Sequence, residues 1–341
     1  MANSNQKKKS ESFKILSGKK IEDSQNFFQD KFSKSIAFYL PQFHRIPENS
    51  EWWGEGFTEW NNAVRGRPNF KNHYQPHLPR ELGFYDLSRI SVMNEQADMA
   101  KIYGLKGFCF YYYWFSGRKI LDEPIKNFLN SKIDFEFCLC WANENWTRTW
   151  DGEDHKVLLK QNYEVGDPEN FIKSLFPFFN DKRYIRINNK PVILVYRAKN
   201  IPNVKDVFNT WRKLSKENGF SNIHIIAVDF YDIKDPNEVN ADALVEFPPH
   251  KFNGVSNQPD EFPKLINKNW VGSLVDYRKV VMQSINKTTP KFKLYRCVMP
   301  SWDNSARRPD SSTIIHESDP ELFEIWIRYI RSYTLFNFKK E

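Results

Sequence analysis

The sequence predicts an α/β protein of the (β/α)8 TIM-barrel type, cut short before its eighth strand. Three observations predict it. Short continuous apolar runs alternate with helical patterns, which is how parallel strands covered by helices read. The 341 residues fit one such barrel. The doubly wound alternative lacks its phosphate loop, because Gly54-Glu55-Gly56 is followed by Phe57-Thr58-Glu59 rather than a third glycine. No Walker-type loop occurs either, and no cofactor is implied.

The elements follow in order. Residues 1–34 form a polar tail, expected to be largely disordered apart from a short helix near Glu22 to Phe32. Residues 35–341 form the barrel domain. Strands are predicted over Ser35–Leu40, Gly107–Tyr112, Phe135–Trp141, Val192–Tyr196, His224–Phe230, Ala243–Phe247 and Phe292–Met299. Asp86 is expected to cap a helix that runs to Tyr103 and stops at Gly104. Asp167-Pro168-Glu169 opens a second helix reaching about Phe179. A third spans Val204 to Asn218 and ends at Gly219. Asp319-Pro320-Glu321 opens the last, with Leu322, Phe323, Trp326, Ile327 and Ile330 on one stripe. That makes seven strands. Leu335 to Phe338 is too short to supply an eighth, so the barrel is expected to be incomplete at its C-terminal side.

Composition narrows the partners. The net charge is +8, but residues 1–34 carry eight lysines against four acids, about half of the excess. The rest holds no Lys/Arg-rich run, which argues against a nucleic-acid partner. A weakly basic surface can rest peripherally on an anionic inner-membrane face or attract acidic glycans or nucleotides. Cys109, Cys138, Cys140 and Cys297 lie in or beside apolar runs and match no zinc spacing. They read as reduced structural thiols of a cytoplasmic chain. Met1 to Ser10 has no apolar core of a secretory signal, and no run is long enough to span a membrane. A metal-bound diphosphate would favour Asp-x-Asp, which is absent, so no metal site is predicted.

In a parallel barrel the site forms on loops at the strand C-termini. After strand one come His44 and a loop of about forty residues, long enough to be functional, that holds Trp52, Trp53, Glu55, Glu59, Trp60 and Asn61. After strand two come Tyr112, Tyr113 and Trp114. After strand three come Trp141, Asn143, Glu144, Asn145, Trp146 and Trp150. Strand five ends at Asp229 and strand six at Glu246, before Phe247-Pro248-Pro249-His250. Trp302 and Asp303 follow strand seven. Eight of eleven tryptophans thus fall at one predicted face. Indole faces beside acids and amides suit sugars, whose C–H faces stack and whose hydroxyls need fixed partners. Glycosidic chemistry needs two carboxyls ~5–9.5 Å apart. The candidates are Glu59, Glu144, Asp229, Glu246 and Asp303, with Glu144, Glu59 and Glu246 taken as the catalytic set. Glu144, between amides and indoles, sits where its pKa could be raised for acid work. It reads equally as a fixed acceptor for a sugar hydroxyl. Glu59 reads also as a helix or turn cap, Asp229 as an acceptor for a backbone amide, and His44 as a partner for a loop carbonyl.

Four stretches carry a family resemblance: Phe38-Tyr39-Leu40-Pro41-Gln42-Phe43-His44, Trp53 to Trp60, Gly107 to Trp114, and Trp141-Ala142-Asn143-Glu144-Asn145-Trp146. Over about residues 35–330 the chain resembles the WbsX-type glycosyltransferases of bacterial polysaccharide loci, which are similar to glycoside hydrolase family 99, the endo-α-mannosidases. The resemblance implies a barrel acting on a surface glycan such as O-antigen or capsule. A glycan or lipid-linked oligosaccharide, and a nucleotide sugar, are the implied partners. An endo-acting hydrolase and a non-catalytic glycan-binding remnant are the alternatives. Those relatives carry a final Asn-Glu-Trp-x-Glu-Gly stretch with two glutamates, and nothing after Trp302 matches it.

Overall fold

The computed structural model describes residues 34–148, 153–252 and 254–338. The tail helix expected near Glu22 to Phe32, and Trp150, lie outside the described residues. Among the described residues, seven strands run parallel in chain order. They are β1 (Ile36–Tyr39), β2 (Gly107–Phe115), β3 (Glu136–Trp141), β4 (Lys190–Val195), β5 (His224–Val228), β6 (Ala243–Val245) and β7 (Leu294–Tyr295). Each falls within or across a strand expected from the sequence.

Two strands differ most from expectation, each for a local reason. β2 runs three residues further because Ser116 and Gly117, with φ of 44° and 96°, turn it back onto Arg118–Ile120. A two-residue turn with both central φ positive matches strand twist and closes a tight hairpin. β7 shrinks to two residues because the Cys297 amide leaves the ladder and donates to the Glu246 carboxylate at 3.1 Å.

The sheet is strongly curled. Phe38 on β1 meets Phe247, just past β6, edge to face at 4.9 Å. Five strand spacings separate β1 from β6, so a flat sheet would hold them ~24 Å apart. Tyr111 and Tyr196 join the same inner layer, with ring distances to Phe247 of 6.3 and 5.3 Å. No pairing joins β1 to β7 among the described residues, so the curl is a half-barrel rather than a closed one.

Helices cover the outer face: α1 (Ile90–Ile102), α2 (Glu123–Leu129), α3 (Asp167–Phe179), α4 (Val204–Glu217), α5 (Tyr277–Asn286) and α6 (Pro320–Phe338). α1 stops before Gly104, whose φ of 83° is left-handed, as expected. Its start is later than expected. Asp86 accepts from the Ser88 amide and organises a turn, while Arg89 sits at the N-cap. Asp167 is not the cap of α3; Gly166 holds that place at φ 84°, and the Asp167 carboxylate accepts from Trp114 Nε1 at 2.8 Å. Asp319 does cap α6, accepting from the Glu321 and Leu322 amides. Leu335 to Phe338 is the last turn of α6 and not a strand.

The sequence reading missed α5 and a three-stranded sheet of Ser273–Asp276, Thr313–His316 and Trp302–Asp303. Asp276 caps α5 by accepting from Arg278 and Lys279 amides at 2.8 and 3.2 Å. Here α5 and α6 build a second core around Tyr277, Val281, Trp326 and Ile330. All four cysteines are free thiols.

Candidate functional site

The loops after β3 and β4 are stapled by one amide. Fully buried Asn143 accepts from the Arg197 backbone N–H at 2.8 Å and donates to the Arg197 carbonyl at 2.8 Å. It also donates to the Tyr163 hydroxyl at 3.0 Å. This double exchange fixes where Arg197 and Glu144 emerge at the strand C-termini. Arg197 Nη1 donates to Glu144 Oε1 at 2.8 Å, and its guanidinium carbon stands 3.9 Å from the Phe230 ring centre. A cavity of 450 Å³ opens beside them, lined by Asn143, Glu144, Asn145, Gln161, Tyr163 and Asn200 among others. Burial, opposed by the Asn143 hydrogen bond, pushes the Tyr163 phenol up to about 12, so it remains a hydroxyl at neutral pH.

Glu144 therefore differs from the enclosed acid the sequence suggested. Its side chain is 44% exposed and ion-paired. The Asn143 amide is spent on Arg197, and Trp146 turns away to pack on Tyr113 and Trp52 at 5.0 and 6.2 Å. A half-exposed carboxylate paired with one arginine leaves oxygen lone pairs open towards the cavity.

A second cavity, of 510 Å³, lies at the ends of β5 and β6. Asp229 accepts from Lys251 Nζ at 2.6 Å and lies 3.7 Å from Lys287 Nζ. Lys287 also donates to Glu246 Oε1 at 2.7 Å. One ammonium thus lies between two carboxylates. Glu246 is further held by Arg296 Nε at 2.8 Å. His250 borders the same cavity and touches the Tyr196 hydroxyl at 3.1 Å. Burial and the nearby Arg197 and Lys251 cations lower its pKa, so it is neutral at pH 7. Its ring packs on Phe230 at 4.5 Å, the same ring that the Arg197 guanidinium covers.

The long loop after β1 brings a third acid. Glu59 is buried and accepts from Arg307 Nη2 and Nε at 2.8 and 3.1 Å. Burial raises its carboxyl pKa, with Arg307 opposing. Its side chain makes no cap hydrogen bond. Asp303 accepts from His73 Nε2 at 2.8 Å and Gln75 Nε2 at 2.6 Å. Burial alone would raise Asp303, but hydrogen bonds from His73, His77 and Ser305 hold it well below the carboxylate range. The Tyr113 hydroxyl, pushed up by burial, lies within the fields of both Arg307 and Glu144.

The expectation that the tryptophans share one open face needs correction. Strand residues alternate faces, so Tyr111 and Tyr113 point into the curl while Tyr112, Trp114 and Trp141 point out under α3. The Tyr112 hydroxyl meets Ser174 Oγ at 3.3 Å, and Trp141 stacks on Phe171 at 4.3 Å. All three are buried in the sheet–helix core. His44 is likewise sealed, 0% exposed, beneath the loop. Trp60 donates to the Tyr85 carbonyl and packs on Phe43 at 4.4 Å, while Trp53 lies against Phe57. Glu55, Asn61, Asn145 and Trp302 are exposed. Asn61 and Asn145 accept from the Thr58 and Gln161 amides. Arg197, Tyr163, His250, Lys251 and Lys287 were missed, although Arg197 directly follows a predicted strand. No group of His, Cys, Asp or Glu that could hold a metal ion occurs among the described residues.

The family described as "Glycosyltransferase WbsX" matches residues 35–340. Two curated relatives, each named "Uncharacterized protein WxcX", come from two strains of Xanthomonas campestris pv. campestris. Each is 40% identical over 293 residues, covering 86% of this chain and 42% of the relative. The chain thus spans less than half the length of those relatives. A solved "Glycoside hydrolase-like protein" superposes with a TM-score of 0.53 at 15% identity, over 89% of this chain and 81% of that one. A GH99 endo-alpha-mannosidase from Bacteroides thetaiotaomicron gives 0.51 at 11% identity, over 87% and 80%. At those identities the likeness is one of fold. No helix among the described residues is long and apolar enough to cross a membrane.

Proposed function

The chain belongs to the WbsX glycosyltransferase family, and from that membership we propose that it takes part in glycosyl transfer during assembly of a bacterial surface polysaccharide, such as O-antigen, capsule or lipopolysaccharide. The glycan lies across the C-terminal rim of β3 to β6. The observation that carries this reading is the Asn143–Arg197 staple, which presents Glu144, Asn145, Gln161 and Tyr163 to one cavity. Sugars need fixed donors and acceptors, and these side chains are fixed before any ligand arrives. In this reading Glu144 contacts a sugar hydroxyl, Glu59 keeps Arg307 in place near the mouth, and Glu246 with Asp229 forms the carboxylate pair around Lys287. Four free thiols support a cytosolic location.

A hydrolytic alternative is favoured by the shared-ammonium pair of Asp229 and Glu246. The two are separated by whether a nucleotide sugar is consumed. The test of the site is Glu144→Gln. It preserves shape, so the melting temperature should hold while affinity on a bacterial glycan array falls by ~1.5–3 kcal/mol, the worth of one charged hydrogen bond. A variant that melts earlier yet binds glycan normally makes Glu144 structural and removes the reading.

A further inference from the structure

A third cavity, larger than either rim cavity at 780 Å³, opens between the long loop after β1 and the segment after β7. Its wall presents the guanidinium groups of Arg65, Arg67 and Arg307 together with Asn62, Asn69 and Asn267, and no carboxylate lines it. Glu59 balances Arg307. Arg65 and Arg67 are exposed, and neither is in an ion pair among the described residues. The cavity therefore carries net positive charge that nothing in its wall offsets.

The arginines hang on a fixed backbone. Gly66, between them, is buried, and a Cβ there would stand 2.3 Å from Gln75 Oε1. Gln75 is held by Asp303, and Asp303 also holds His73. The His73 Nδ1 accepts from the Asn69 N–H at 2.9 Å, so the ring proton sits on Nε2 and is donated to Asp303. Asn267 closes the far side by donating to Asn69 Oδ1 at 3.0 Å. The hydrogen-bond chain thus fixes the Asn69 end of the Arg65 to Asn69 segment, and close packing of Gly66 on Gln75 fixes the other. Guanidinium forks on such a frame suit bidentate contact with phosphate oxygens, and preorganisation lowers the entropy lost on binding. The volume suits a small-molecule group.

We infer that this cavity binds the diphosphate group of a glycosyl substrate, with arginines supplying the countercharge. The source of that diphosphate, a nucleotide sugar or a polyprenyl-linked glycan, rests on the glycosyl-transfer reading; the anion site itself does not. The lipid source has a further argument. The segment that borders the cavity exposes Phe262, Ile266 and Val271 at 57%, 61% and 82%, beside Lys264 and Lys268. Apolar side chains among lysines suit an anionic membrane surface.

The experiment is calorimetric titration of the 341-residue chain with inorganic pyrophosphate. Saturable binding is expected, weakened about tenfold or more in R65Q/R67Q, as loss of charged hydrogen bonds implies. Circular dichroism and melting of the variant confirm that its exposed substitutions leave the fold intact. Competition by uridine diphosphate, or by vesicles carrying a polyprenyl diphosphate, then identifies the source. No saturable pyrophosphate binding, or binding equal in R65Q/R67Q, overturns the inference. Because no glycan enters this titration, its failure leaves the Glu144 test standing, and failure of that test leaves this one standing.

Discussion

His44 shows how one buried side chain sets a pH response. It is 0% exposed, with the Pro41 backbone as a polar neighbour. Burial lowers its pKa from 6.5, only partly offset by the Glu123, Asp86 and Asp122 carboxylates and by the Pro41 backbone. As pH falls below 6.5, the unfolded chain takes up a proton that the folded chain refuses. Unfolding is therefore favoured progressively on acidification until the lowered folded value is passed. His44→Leu removes this term, so its unfolding free energy should change less between pH 6.5 and about 5 than that of the parent chain. An equal fall in unfolding free energy for parent and variant between the two pH values, measured by denaturant titration, would remove His44 from this role. At this scale the sequence was legible in residue type and not in phase. The run Phe110-Tyr111-Tyr112-Tyr113-Trp114 announces rings at a strand end. Only the fold decides that Tyr113 faces the curl while Tyr112 and Trp114 lie under α3.

Elements were legible where the signal is local. All seven parallel strands appeared as apolar runs, and Gly104, Gly219 and Asp319 marked helix ends correctly. α5 was missed because its amphipathic stripe is short and lies after a long irregular stretch. What holds α5 is tertiary. Ser284, fully buried, accepts from Arg296 Nη2 at both its carbonyl and its hydroxyl, at 2.7 and 3.0 Å. The same hydroxyl accepts from Trp326 Nε1 at 2.8 Å, tying α5 to α6. Arg296 in turn holds Glu246. Ser284→Ala strands the buried Trp326 Nε1 donor and removes one of two Arg296 Nη2 contacts, and the expected loss is ~1–3 kcal/mol in denaturant unfolding. A loss under ~0.5 kcal/mol would mean that these donors find other partners.

The parallel order of the whole sheet could be read from alternation of strands and helices, but its curl could not. The curl depends on contacts such as Phe38 with Phe247, more than two hundred residues apart. The site shares that limit, because Glu59–Arg307 and Asn143–Arg197 join distant segments. The curled sheet also has unequal strands. β3 and β4 are paired on both sides and packed under α3 and α4, whereas β1 pairs with β2 alone among the described residues. Local opening follows such differences. Native-state hydrogen exchange should therefore show the amides of Cys138 to Trp141 and Ile193 to Val195 exchanging only through global unfolding. Those of Ile36 to Tyr39 should exchange by a smaller opening, with weaker denaturant dependence. Equal protection across β1 and β3 would show that β1 is covered as well as the centre.

The indoles of Trp141 and Trp211 stand 5.9 Å apart with their planes at 51°, next to Phe171. Two such chromophores, close and skewed, couple their transition dipoles and give a paired circular-dichroism band of opposite signs. One lies at the end of β3 and the other on α4, so the band survives only while sheet and helix stay docked. The molecule carries its own optical gauge of that docking, separate from the tryptophans in the loops at the rim.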